Sequence, residues 1–145
     1  MQRVTRDLNV LLAARGQLSA NPLLASEEFG VGGIAFGRAF DPSEIIGDDG
    51  FAGKVEFQWN HPYEWNLVED YQLYSFFDAG RIFNQDATTS SLKTDTITSA
   101  GVGLRADFPD NIQAGVAVAF PLNRDVETQR AVSYTHLTLP TIRLV

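Results

Sequence analysis

FAGKVEFQWN, residues 51–60, alternates apolar and polar side chains with a period of two. Phe51, Val55, Phe57 and Trp59 fall on one face, and Lys54, Glu56, Gln58 and Asn60 on the other. Such alternation belongs to a half-buried strand, since successive side chains of an extended chain point to opposite faces. In a soluble sandwich the apolar face packs on the core; in a membrane barrel it faces lipid.

Four more segments carry the same period. Residues 7–17 set Leu8, Val10, Leu12 and Ala14 against Asp7, Asn9, Arg15 and Gln17. Residues 71–83 set Tyr71, Leu73, Phe77, Ala79 and Phe83 against Gln72, Tyr74, Phe76, Asp78 and Gly80. Residues 96–108 place Ala100, Val102, Leu104, Ala106 and Phe108 opposite Ser99, Gly101, Gly103, Arg105 and Asp107. Residues 112–122 place Ile112, Ala114, Val116, Val118, Phe120 and Leu122 opposite Gln113, Gly115, Ala117 and Ala119. Each segment is near the nine to eleven residues or so that a tilted membrane strand needs, and longer than an average soluble strand.

The connections differ in kind. Residues 109–111 (PDN) form a tight turn, residues 84–95 a polar loop, and residues 19–50 a very long, Gly-punctuated loop. Short turns at one end and long loops at the other are the habit of outer-membrane barrels. The expected architecture is therefore all-β: an antiparallel transmembrane β-barrel fragment of about five strands with a long loop. Five strands do not close a barrel, and an open sheet in hydrocarbon leaves two rows of unpaired backbone groups, so further strands are expected in the same chain. Small residues recur on the polar faces at Gly80, Gly101, Gly103, Gly115, Ala117 and Ala119, which leaves room for the long loop inside.

Composition removes several function classes. The 145 residues contain no cysteine, which excludes disulfide scaffolds, thiolate metal sites and cysteine nucleophiles. Net charge is −7, and the basic residues form no run, so no nucleic-acid partner is expected. No stretch is apolar for long enough to cross a membrane as a helix, and no secretory leader opens the chain as given.

Residues 131–145 (AVSYTHLTLPTIRLV) stand apart. Their centre, Val132 to Thr141, is what a widely used transposon-end sequencing adapter encodes in one frame (GTC TCT TAT ACA CAT CTG ACG CTG CCG ACG). The chain is accordingly divided into residues 1–130, the C-terminal part of a barrel, and residues 131–145, an adapter-derived tail that takes His136 with it.

The long loop carries a resemblance. PLLASEEFGVGG (Pro22 to Gly33) followed by FGRAFDPSEIIGDDGFAG (Phe36 to Gly53) is similar to the lid-loop region of two-partner secretion transporters, the haemolysin-activator type of outer-membrane barrel. Gly37-Arg38-Ala39-Phe40 occupies the place of that family's Val-Arg-Gly-Phe/Tyr motif, matching the arginine and the aromatic and departing at Gly37 and Ala39. The family's Phe-x-Asp-x-Gly motif is met in full by Phe76, Asp78 and Gly80. The likeness extends from Gln2 to Thr128. It implies a barrel of about sixteen strands, with these near its C-terminal end and periplasmic domains upstream in the same chain. It also implies a bacterial outer-membrane location and a pore that secretes an exoprotein partner of the haemolysin or adhesin type, with outer-membrane lipid around it.

With Phe76, Asp78 and Gly80 on the inward face, Asp78 is placed to meet Arg38 of a loop folded into the lumen. The planar fork of arginine matches a carboxylate bidentately, so an Arg38–Asp78 lid lock is expected. Without the resemblance, an inward aspartate reads as merely solvated. Asp41, Glu44, Asp48 and Asp49 lack the ligand alternation of a calcium loop and read as a solvated acidic loop. His61, beside Pro62 at a turn, has no second His or Cys to form a metal site. Trp59, Tyr63 and Trp65 suit an interfacial aromatic girdle. With no cysteine, one histidine outside the tail and no Gly-x-Ser-x-Gly elbow, no enzyme and no cofactor are expected. Two other readings stand beside the transporter: the barrel-inserting branch of the same superfamily, and a soluble β-sandwich binding module whose outward Phe and Trp would lie beneath a second sheet.

Overall fold

The computed structural model describes residues 2–3, 8–65, 68–85, 93–109, 112–123 and 132–138, with the backbone alone at 2–3, 62–65, 68–69, 132–134 and 136–138. Among the described residues nine strands follow in chain order: β1 (Gln2–Arg3), β2 (Leu8–Gln17), β3 (Phe29–Val31), β4 (Ile45–Gly47), β5 (Asp49–Trp65), β6 (Val68–Phe83), β7 (Thr94–Phe108), β8 (Ile112–Pro121) and β9 (Val132–Thr138). Seven of them form one antiparallel sheet in the order β1-β2-β5-β6-β7-β8-β9, and β3 pairs with β4 as a separate hairpin. Consecutive strands neighbour one another except where that hairpin is inserted between β2 and β5. This is the up-and-down connectivity of a barrel wall.

The five strands expected from the period-two pattern are all present. Three of them run further: β5 spans 17 residues, β6 16 and β7 15. At about 3.3 Å per residue and a tilt near 45°, such strands rise roughly 35 Å, more than an apolar band of about 25 Å. Their ends therefore project beyond it. His61 sits within β5 rather than at a turn, because the strand carries through Pro62 with a shift of register between Pro62 and Trp65. Its exposed ring lies 6.0 Å from Trp59 and 5.3 Å from Tyr71. The side chains of Tyr63 and Trp65, residues 110–111 of the expected tight turn and residues 86–92 of the polar loop lie outside the described residues.

The sheet is inside-out relative to a soluble domain. On β5, Phe57 and Trp59 are 51% and 52% exposed, whereas Gln58 between them and Glu56 just before them face inward at 5% and 2%. On β6, Leu73 and Phe77 are exposed while Tyr74, Phe76 and Asp78 are buried. Leu12, Val102, Leu104, Val116 and Phe120 extend the exposed apolar face across β2, β7 and β8. The sandwich reading required the reverse, and the arrangement is consistent with a fragment of a barrel wall.

What covers the inner face is the long loop. Its residues are not a structureless connection: β3 and β4 pair through Phe29↔Gly47, Gly30↔Ile46 and Val31↔Ile45. Phe29, Val31, Ala39, Phe40 and Ile45 are buried with Ala52, Phe76, Ile82 and Ile97 of the wall in a single apolar cluster. Gly80 belongs to this fit, since a Cβ there would collide with the side chain of Val31. The small residues at Gly101 and Gly103 have a different use, for the space above them is taken by the rings of Phe76 and Tyr74 on β6.

The tail segment Val132–Thr138 pairs along β8, Ala119↔Val132 to Gln113↔Thr138. An open sheet edge templates any extended segment that follows it, so this pairing carries no information on the segment's origin.

Candidate functional site

The site lies where the tip of the loop meets β5, β6 and β7. Residues 32–40 are folded on themselves by backbone bonds: Gly32 N donates to Phe36 O (2.9 Å), Gly33 N to Phe40 O (3.0 Å) and Phe40 N to Gly37 O (3.0 Å). Gly32, Gly33 and Gly37 hold positive φ angles of 132°, 78° and 98°. Glycine alone takes such values at no steric cost. The tight turn at Gly37 aims Arg38 at the wall and buries Ala39 and Phe40 behind it.

Arg38 meets Asp78 through a two-pronged contact. Nε donates to Oδ2 and Nη2 to Oδ1, each at 2.9 Å. The backbone N–H groups of Gly37 (3.3 Å) and Arg38 (3.1 Å) also donate to Oδ2. Asp78 is fully buried. A buried carboxylate needs this density of donors, since an unpaired one costs several kcal/mol. The guanidinium of Arg38 lies flat over Phe76, its Cζ 3.5 Å from the ring centroid, so the aromatic two residues before Asp78 supports the same side chain.

Beyond the expected pair, Arg38 reaches a second acid. Its Nη1 donates to Oε2 of Glu56 at 2.7 Å. The other oxygen of Glu56 accepts from Arg105 Nη1 and Gln58 Nε2, both at 2.8 Å. Arg105 also donates to Gln72 Oε1 (2.5 Å) and lies over Tyr74 at 3.8 Å. Tyr74 and Phe76 stack with centroids 6.2 Å apart. Lid and wall together thus form a row of alternating charges, Asp78–Arg38–Glu56–Arg105, on a floor of two rings. Sequence reasoning put Glu56, Gln58, Gln72 and Arg105 on inward faces and gave them no role. The available signal was parity: Glu56, Gln58, Gln72 and Arg105 share the inward face with Asp78.

All seven residues singled out from the sequence, Gly37, Arg38, Ala39, Phe40, Phe76, Asp78 and Gly80, are brought together here. A family model described as haemolysin secretion/activation protein ShlB/FhaC/HecB matches residues 2–106, which hold both motifs and every strand around them. The chain belongs to this family. No curated protein and no solved structure gives a match. Members of the haemolysin secretion/activation family are outer-membrane transporters of Gram-negative bacteria that secrete and activate partner proteins. The outward apolar face and inward charged wall of this chain are those of such a barrel.

The root of the loop in this family member is stapled separately. Asp48 accepts the backbone N–H groups of Leu23 (2.5 Å) and Gln85 (2.8 Å), and Asp49 accepts that of Ser19 (2.5 Å). These two acids are therefore hydrogen-bond anchors rather than parts of a solvated acidic loop. The bonds from Leu23 and Gln85 hold the Asp48 carboxyl below its ordinary pKa. Asp41 is exposed, as that reading expected.

Proposed function

We propose that residues 22–48 are the lid of an outer-membrane pore that secretes an exoprotein of the haemolysin or adhesin type, and that Arg38 and Asp78 lock this lid into the transport-competent barrel. The activity is conduction of an unfolded partner chain rather than catalysis, and it calls for no cofactor. The observation that carries the reading is the bidentate Arg38–Asp78 contact, made between the lid and the inner face of a sheet whose outer face is apolar.

Magnitudes divide the labour within the lid. Burying Phe29, Val31, Phe40 and Ile45 is worth on the order of 6–12 kcal/mol, so apolar contact keeps the lid inside. A buried ion pair returns little net stability against its desolvation, but breaking one costs about 3–5 kcal/mol because the partner is stranded. The Arg38–Asp78 contact accordingly sets where the lid sits. Outward Phe57, Trp59, Leu73 and Phe77 meet the lipid in this reading.

The test is Arg38→Ala in the complete transporter, scoring the partner in the medium and the barrel in the outer membrane. The expected result is loss of secretion with insertion intact. Secretion at the wild-type level would overturn the reading.

A further inference from the structure

We infer that Arg105 is a positioning residue for the lid: it holds Glu56 so that Arg38 finds two correctly aimed carboxylates on the wall rather than one. The inference rests on the lid-lock reading above and extends it to a residue of β7 whose described hydrogen bonds all go to wall residues.

Glu56 is 2% exposed and divides its carboxylate, Oε2 to the lid and Oε1 to the wall. Without Arg105, the described ion pairs of Asp78 and Glu56 would all fall on Arg38. Like charges facing one another across a buried site repel. Arg105 removes that conflict, making the row of two acids and two arginines neutral. It also fixes direction, because Arg105 Nη1 draws Oε1 towards β7 and so turns Oε2 towards the lid.

Arg105 is itself held from three sides. Its guanidinium rests on Tyr74, which lies over Gly103 because that residue has no side chain to exclude the ring. Gln72 accepts from it and in turn donates to Asn60 Oδ1 at 2.6 Å. The side chain is 42% exposed, so it stands at the edge of the lid's footprint rather than beneath it. A residue so placed adjusts the seat of the lid through Glu56, its described hydrogen bonds going to the wall alone.

The experiment uses the complete transporter in a Val31→Cys background, in which a near-isosteric thiol on the lid is buried against Gly80 of the wall and reacts with maleimide only when the lid leaves. Arg105→Ala should lower partner secretion by about tenfold or more and expose the thiol, as stranding a buried charge does. Arg105→Lys, which keeps the charge and loses the fork, should recover part of both. In a Glu56→Gln background the stranded charge is gone, so Arg105→Ala should then change secretion and protection by less than about twofold. Wild-type secretion and protection in Arg105→Ala would overturn the inference. So would an undiminished effect of Arg105→Ala in the Glu56→Gln background, a comparison that holds even if the single variant inserts poorly. If Arg38→Ala abolishes secretion while the Arg105 series is flat, this inference alone fails; if Arg38→Ala secretes normally, the lid reading fails with it.

Discussion

Val31 of the lid hairpin packs into the space that a side chain on Gly80 of β6 would occupy. The two residues are complementary in volume, one large because the other has no Cβ. Overpacking a buried contact of this kind costs about 1–3 kcal/mol. Gly80→Ala is expected to unseat the lid and lower secretion, and Gly80→Ala with Val31→Ala to recover most of the loss. If Val31→Ala fails to improve on Gly80→Ala, the glycine serves the strand and not the lid.

Gly37 stands where the family motif has valine, and the structure gives the reason. Its φ of +98° is closed to β-branched residues, and a Cβ there would also crowd Ile97 and Gly32. Restoring the family's residue should therefore harm this chain. Gly37→Val is expected to loosen the lid by about 1–3 kcal/mol, read as faster hydrogen exchange at residues 36–40. Unchanged exchange would show that the turn tolerates a different backbone path.

The root of the lid should respond to acid. Asp48 has a depressed folded pKa, so the stability it contributes is present above the ordinary carboxylate range and is lost as pH falls through the folded value. The expected result is that protease sensitivity of residues 19–28 rises below about pH 4 in the native protein. Asp48→Asn should show that sensitivity already at pH 7 and no longer vary with pH. A pH response in Asp48→Asn equal to that of the native chain would assign the titration to another group.

The sheet was legible in the sequence because lipid outside and charge inside impose strict alternation, and residues 51–60 show it with little noise. The hairpin β3–β4 was not, since three-residue strands between glycines are too short for a period to register. Nor were the full lengths of β5 and β6, because Pro62 reads as a stop where a register shift in fact carries the strand past it. In the site, Arg38 and Asp78 were legible from the two motifs together with the inward parity of Asp78. Glu56 and Arg105 were assigned the right face without the right partners. Their contact crosses from β5 to β7 between positions that are not in the same row, Glu56 lying opposite Phe76 and Arg105 opposite Gln72. Parity along a strand gives a face; only register and side-chain reach give a neighbour.

Asp78 tests how far the lid contact acts as one unit. Its two oxygens receive four donors from Gly37 and Arg38, so Asp78→Asn removes the charge and turns an amide N–H towards a guanidinium. Alone, it should unseat the lid about as strongly as Arg38→Ala. Combined, the two substitutions should cost clearly less than their sum, with a coupling of about 0.5–3 kcal/mol, because the second removes a partner already lost. The cycle is measured as protection of lid amides from exchange in the folded barrel. Additive costs would mean that Arg38 and Asp78, despite two bonds at 2.9 Å, contribute to the lid independently, and the weight of the lock would then fall on Glu56.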